Sequence, residues 1–145
     1  MVLCIVVGAI CMLAYAGGSF CNKQPAGFAL YDNFLSDLGR TRGWSGASNL
    51  GIEALFIIFT TAGAAAIALM FIAFAKAVSR SILTSLLGHL GAGWGIISAI
   101  AFVGVAAFPM DVYPALHQTF VLCAFSSFLF AFAILAIAFF CARDF

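Results

Sequence analysis

The chain has 145 residues, 66% of them hydrophobic and only 8% charged, whereas soluble domains are roughly half apolar and about a quarter charged. A water-soluble globule is therefore excluded. The net charge of +1 and the lack of any block of Lys or Arg leave no electrostatic footprint for nucleic acid, so no nucleic-acid partner is expected.

The charged residues leave four uncharged runs, 1–22, 54–75, 81–110 and 112–142, each long enough to cross a hydrocarbon core of about 30 Å as a helix. The composition predicts an all-α, polytopic membrane protein: one four-transmembrane-helix domain over residues 1–145, with spans near 2–20, 50–75, 82–108 and 114–141. The first segment has no Lys or Arg ahead of its apolar run. Despite the small-x-small triplet Ala14-Tyr15-Ala16, it therefore reads as an uncut helix rather than a signal peptide.

The connection 21–49 is too long for a simple helix–helix turn and carries Lys23, Asp32, Asp37, Arg40 and Arg42, with Pro25 among its breakers. Phe28, Tyr31, Leu35 and Leu38 recur at helical spacing, which predicts a short amphipathic helix at the membrane interface. Gly39 would end it in a left-handed conformation, with Arg40 and Arg42 beside its negative end.

In the second span, Ala62-Gly63-Ala64-Ala65-Ala66 offers a small surface that could receive the third span. A brief turn bracketed by Lys76 and Arg80 follows. The third span opens with Gly88 to Gly95, where Gly91 and Gly95 form a small-x-x-x-small face for close helix packing. It lacks the spacing of a dinucleotide fingerprint. Pro109 and Pro114 bracket the last connection, and Pro114 suits the first turn of the fourth helix.

The five cysteines include no C-x-x-C pair, so a thiol redox motif or zinc ribbon is not expected. A Cys21–Cys123 bridge is the one disulfide the span count allows. His89 stands 22 residues before Asp111, about 33 Å along a helix, which separates it from any site holding Asp111 and His117. No metal site and no cofactor are expected.

Counting spans brings Asp32, Asn33, Asp37, Arg40, Arg42, Asn49, Glu53, Asp111 and His117 to one membrane face. Asp111 precedes the fourth helix and His117 lies about one turn inside it, as a polar clamp or an acid–base pair, or alternatively as a cap with a hydrogen-bonded histidine. Glu53 falls one turn into the second span, where an ion pair with Arg40 or Arg42 would offset its burial. Ser36, Ser45 and Ser48 are weaker candidates for a nucleophile beside His117. Asp37, Arg40, Arg42, Glu53, Asp111 and His117 form the candidate ligand-binding set, with Asp111 and His117 as the catalytic candidates. Lys/Arg counts tie at three per side once Arg143 is included, with Asp144 beside it. The short second connection marks the cytoplasmic side and places both termini there.

Tyr31-Asp32-Asn33-Phe34-Leu35-Ser36-Asp37-Leu38-Gly39, together with Phe108-Pro109-Met110-Asp111 and Leu116-His117, resembles the DUF998 family of integral membrane proteins. The family is similar in plan to the Frag1/DRAM/Sfk1 proteins, some of them linked to lipid distribution. The resemblance implies motif roles for Ser36, Asp37, Leu38 and Gly39, and for Pro109, Asp111 and His117. It also implies about six spans against the four expected here, so the chain is a complete bundle, a fragment, or one part of an oligomer. Residues and resemblance together suggest a multi-pass protein of the plasma membrane that binds a lipid head group or another amphiphile. The alternatives are an enzyme acting on lipid head groups and a structural subunit of a membrane assembly, with membrane lipids, further copies or other subunits as partners.

Overall fold

The computed structural model describes residues 2–24 and 27–142; Pro25, Arg143 and Asp144 lie outside the described residues. Four α-helices follow one another, α1 (Val2–Ala14), α2 (Leu50–Val78), α3 (Ile82–Ala107) and α4 (Pro114–Ala142), with a 3-10 helix at Leu35–Gly39 before α2. Among the described residues there is no strand, only one isolated antiparallel bridge between Arg42 and Ser48. Helices α2, α3 and α4 hold 29, 26 and 29 residues, or about 43, 39 and 43 Å at 1.5 Å per residue. All three are long and apolar enough to cross a membrane. Their outward side chains include Ile58, Leu69, Ile100, Leu122, Leu129 and Phe140, all exposed, which is the surface expected of helices solvated by lipid.

The first helix departs from expectation. It ends at Ala14 after 13 residues, about 20 Å, instead of continuing to Phe20. Gly17 and Gly18 have φ of 94° and 80°, a left-handed conformation that a right-handed helix cannot contain. The Tyr15–Phe20 segment folds instead against the Gly43–Ser45 turn. The Ser45 amide donates to the Gly17 carbonyl at 3.1 Å, and the Ser45 hydroxyl donates to the Ala16 carbonyl at 2.8 Å. A Cβ on Gly18 would stand 2.7 Å from the Ser45 nitrogen, so glycine is required there on two counts.

Nor does 28–38 form an amphipathic α-helix. The chain turns at Leu30–Asp32 and then enters the 3-10 helix. Phe28 and Leu38 do pack into the core, but Tyr31 and Leu35 are exposed. Side chains compete with the helical ladder here: Asn33 Oδ1 accepts from the Ala29 amide at 2.9 Å, and Asp37 Oδ2 from the Phe34 amide at 2.9 Å. Gly39 is not left-handed. It is small because the Phe56 ring lies over it, 2.6 Å from where a Cβ would be.

The chain divides into two compact units. Unit one comprises Met1–Gly63 and Val103–Thr119, and its core is Cys11, Tyr15, Leu38, Phe56 and Ala106, flanked by Val7, Met12, Phe28, Ile52 and Phe59. Unit two comprises Ala64–Phe102 and Phe120–Phe145, centred on Phe71, Val78, Ala131, Leu135 and Ala138.

Within unit two the small face of α3 works as predicted, but its partners differ. A Cβ on Gly91 would meet Leu135 of α4 at 2.8 Å, one on Gly88 the Ala75 carbonyl of α2 at 3.0 Å, and one on Gly95 would collide with the Phe71 ring. In the Ala62–Ala66 stretch only Ala64 is buried; Ala62, Ala65 and Ala66 are exposed, and a Cβ on Gly63 would meet open space. A large ring inserted over glycine buries more area than two small faces would. Phe71 is fully buried, and Phe128 and Phe132 meet it edge-on at 5.6 and 5.2 Å. Ser98 of α3 donates to the Ala124 carbonyl of α4 at 2.8 Å, closing the same interface with a polar bond in an apolar setting. Cys21 and Cys123 are free thiols, so the disulfide the span count allowed is not formed.

Candidate functional site

Unit one gathers Asn33, Asp37, Asn49, Asp111 and His117, five of the residues that span counting placed together. Asp37 is only 4% exposed, and an ionised carboxylate at that depth requires donors. It has three: Asn33 Nδ2 at 3.2 Å, the Phe34 amide at 2.9 Å and the Trp44 indole Nε1 at 3.1 Å. Asn33 also donates to the Gly18 carbonyl at 2.9 Å, tying the end of the α1 segment to the 3-10 helix.

Asp111 is the second hub. Its Oδ1 accepts from the Thr41 amide at 3.1 Å, and its Oδ2 from the Thr41 hydroxyl at 2.6 Å and the Arg42 amide at 3.1 Å. Burial raises the Asp111 pKa, but hydrogen bonds from the Thr41 hydroxyl and from the Arg42 and Thr41 amides outweigh it and hold the carboxyl below its ordinary value. Asp111 caps no α4 amide, since it sits in the Pro109 turn, where the Pro109 carbonyl accepts from the Val112 and Tyr113 amides at 3.1 and 2.8 Å.

Buried Asn49 joins the same structure. Its Nδ2 donates to the Leu38 and Arg40 carbonyls at 3.0 and 2.9 Å, and its Oδ1 accepts from the Ala16 amide at 3.3 Å. One side chain thereby holds three separated segments immediately before α2.

The expected pairing of Asp111 with His117 is not formed. His117, 4% exposed, places Nδ1 2.8 Å from the Phe108 carbonyl; facing an acceptor, Nδ1 carries the hydrogen. It fastens the end of α3 to the start of α4 within unit one. The Glu53 ion pair is also absent among the described residues. Arg40 Nε donates to the Arg42 carbonyl at 3.1 Å, its guanidinium lies 3.9 Å above the Trp44 ring centroid, and Arg42 Nη1 donates to the Gly46 carbonyl at 3.2 Å. Glu53 is half-buried in the first turn of α2. Ser36 is half-buried and Ser48 exposed, while Ser45 donates to Ala16, so no serine is hydrogen-bonded to His117. Gly91 and Gly95 belong to unit two and to its packing. Among the described residues no three His, Cys, Asp or Glu side chains converge as a metal site.

Three residues with central roles carried no sequence signal. Thr41 and Trp44 provide donors to the two carboxylates. Fully buried Thr84 accepts the Arg80 and Ser81 amides at 3.1 and 2.9 Å and so sets the α2–α3 turn. A Thr, or a Trp beside glycines, looks like ordinary loop composition; the Thr41 bond spans 70 residues, whereas those of Trp44 and Thr84 span seven or fewer.

Comparison with protein-family models, curated proteins and solved structures gives no match.

Proposed function

We propose that the protein is a four-span integral membrane protein whose first loop is a rigid platform at the membrane interface, recognising anionic lipid head groups through Arg40 and Arg42. The observation that carries this reading is the inward direction of Asp37 and Asp111. Each accepts three hydrogen bonds from the chain itself, which commits most of its acceptor capacity to holding the loop. Arg40 and Arg42 keep unused guanidinium N–H groups on the outside of the loop. Exposed Phe20, Leu30, Tyr31, Phe34 and Leu35 supply apolar and aromatic surface suited to the head-group region.

The reading reassigns Asp37, Asp111 and His117 from ligand contacts to the fastening of the platform, and it keeps Arg40 and Arg42 as ligand contacts. It includes α1 as a fourth membrane-inserted helix, the plasma membrane as location, and termini on the cytoplasmic side, supported by the short Lys76–Arg80 connection. Membership of the DUF998 family is part of the proposal, supported by the convergence of both its motifs on one polar structure.

Native mass spectrometry of the detergent-solubilised protein, incubated with phosphatidylglycerol or phosphatidylcholine, tests it. The wild type should retain phosphatidylglycerol, and Arg40→Gln/Arg42→Gln should retain at least one bound molecule fewer, with its melting temperature unchanged. Equal retention by both proteins would sink the lipid reading.

A further inference from the structure

The turn between α2 and α3 carries an open cleft of about 720 Å³ lined by Ser79, Arg80, Ser81, Ile82, Ser85 and His89, with Leu86 at its edge. We infer that this cleft binds the phosphate of an anionic glycerophospholipid, with the acyl chains lying along α3.

The turn satisfies its own backbone without help. Thr84 Oγ1 accepts the Arg80 and Ser81 amides, and Ser81 Oγ accepts the Thr84 amide at 3.2 Å. The Arg80 guanidinium has no such duty. Arg80 is exposed, with five N–H donors arranged to match phosphate oxygens. Across the cleft, His89 Nδ1 faces the Ser85 carbonyl at 2.7 Å and so carries the hydrogen, which leaves Nε2 directed elsewhere. Ser85 brings a hydroxyl 3.5 Å from the same ring. One arginine, a histidine and hydroxyls around a shallow, open site, with no carboxylate among the lining residues, are complementary to a phosphate.

The lipid is selected over a free phosphate by what adjoins these groups. Ile82, Leu86 and Leu90 fall at i, i+4 and i+8 on α3, and all are exposed, Ile82 at 92%. Ser85 and His89 fall on the same face, at i+3 and i+7. A face on which Ser85 and His89 interleave with exposed Ile82, Leu86 and Leu90 on a membrane-long helix sets apolar surface beside the polar groups and matches an amphiphile, not a soluble anion. The turn joins two helices of membrane-spanning length, which puts Arg80 at head-group depth. The site shares no residue with the loop-one platform and rests only on the membrane reading.

The test uses the full chain in detergent and native mass spectrometry, with dioleoylphosphatidylglycerol, dioleoylphosphatidylcholine and inorganic phosphate as separate probes. With the loop-one platform removed by Arg40→Gln/Arg42→Gln, adding Arg80→Gln should weaken the remaining phosphatidylglycerol binding about tenfold, and adding Arg80→Lys should weaken it less. Circular dichroism on each variant separates lost binding from lost folding. Unchanged phosphatidylglycerol retention when Arg80→Gln is added to folded Arg40→Gln/Arg42→Gln overturns the proposal, as does equal retention of phosphatidylcholine. Inorganic phosphate displacing the lipid at equal concentration would make this a soluble-anion site instead.

Discussion

Thr41 and Asp111 stand 70 residues apart in the chain and are joined by two hydrogen bonds, Thr41 Oγ1 to Oδ2 at 2.6 Å and the Thr41 amide to Oδ1 at 3.1 Å. This clasp connects loop one to the α3–α4 connection inside one compact unit. With the Arg42 amide on the same carboxylate, it fixes the backbone from which Arg40 and Arg42 project.

Removing the carboxylate should loosen the loop. Asp111→Ala leaves the Thr41 hydroxyl and two amides without acceptors, a loss of about 2–3 kcal/mol. The expected result is a lower melting temperature in detergent and faster proteolytic cleavage between residues 28 and 48, with the helical circular dichroism signal retained. Cleavage at the wild-type rate would show that the clasp does not hold the loop.

Stability should also depend on acid. Hydrogen bonding lowers the Asp111 pKa in the folded state despite the opposing effect of burial, so the unfolded chain takes up its proton first as the pH falls. The contribution of Asp111 is therefore complete above the unfolded value near 4 and disappears as the pH drops through the lower folded value. Melting temperatures between pH 6 and pH 2.5 should fall more steeply in the wild type than in Asp111→Asn. Parallel curves would assign the acid sensitivity to other groups.

Packing in unit two allows a matched pair of substitutions. Gly95→Ala drives a methyl into the Phe71 ring, whereas a methyl on Gly93 meets nothing within 4 Å. The first should cost about 1–3 kcal/mol through overpacking. The second should be neutral or slightly stabilising, because alanine favours the helix by up to about 1 kcal/mol. Thermal melts of both proteins decide the matter, and equal melting temperatures would contradict the ring-over-glycine geometry.

Tyr15 gives a prediction of the opposite sign. Its ring meets Phe28 edge-on at 5.7 Å, the residue is 5% exposed, and its hydroxyl approaches the Trp44 backbone without forming a hydrogen bond of good geometry. Burying an unsatisfied hydroxyl costs about 1–3 kcal/mol, so Tyr15→Phe should raise the melting temperature. A drop would mean that the Trp44 backbone satisfies the hydroxyl.

The sequence alone determined the apolar helices, because hydrophobic run length and the positions of charge and proline are local properties that fix where a chain can cross a membrane. It also located the α3 glycine face, since small residues at a spacing of four mark one side of a helix. The end of α1 at Ala14, the 3-10 path through loop one and the inward direction of Asp37 and Asp111 were settled by tertiary structure. Helical spacing of Phe28, Tyr31, Leu35 and Leu38 reads as a helix only while Asn33 and Asp37 are ignored as competitors for the backbone amides. Thr41 became a partner of Asp111 because a buried charge must find donors wherever the folded chain presents them, and a hydrogen bond across 70 residues leaves no trace in local pattern.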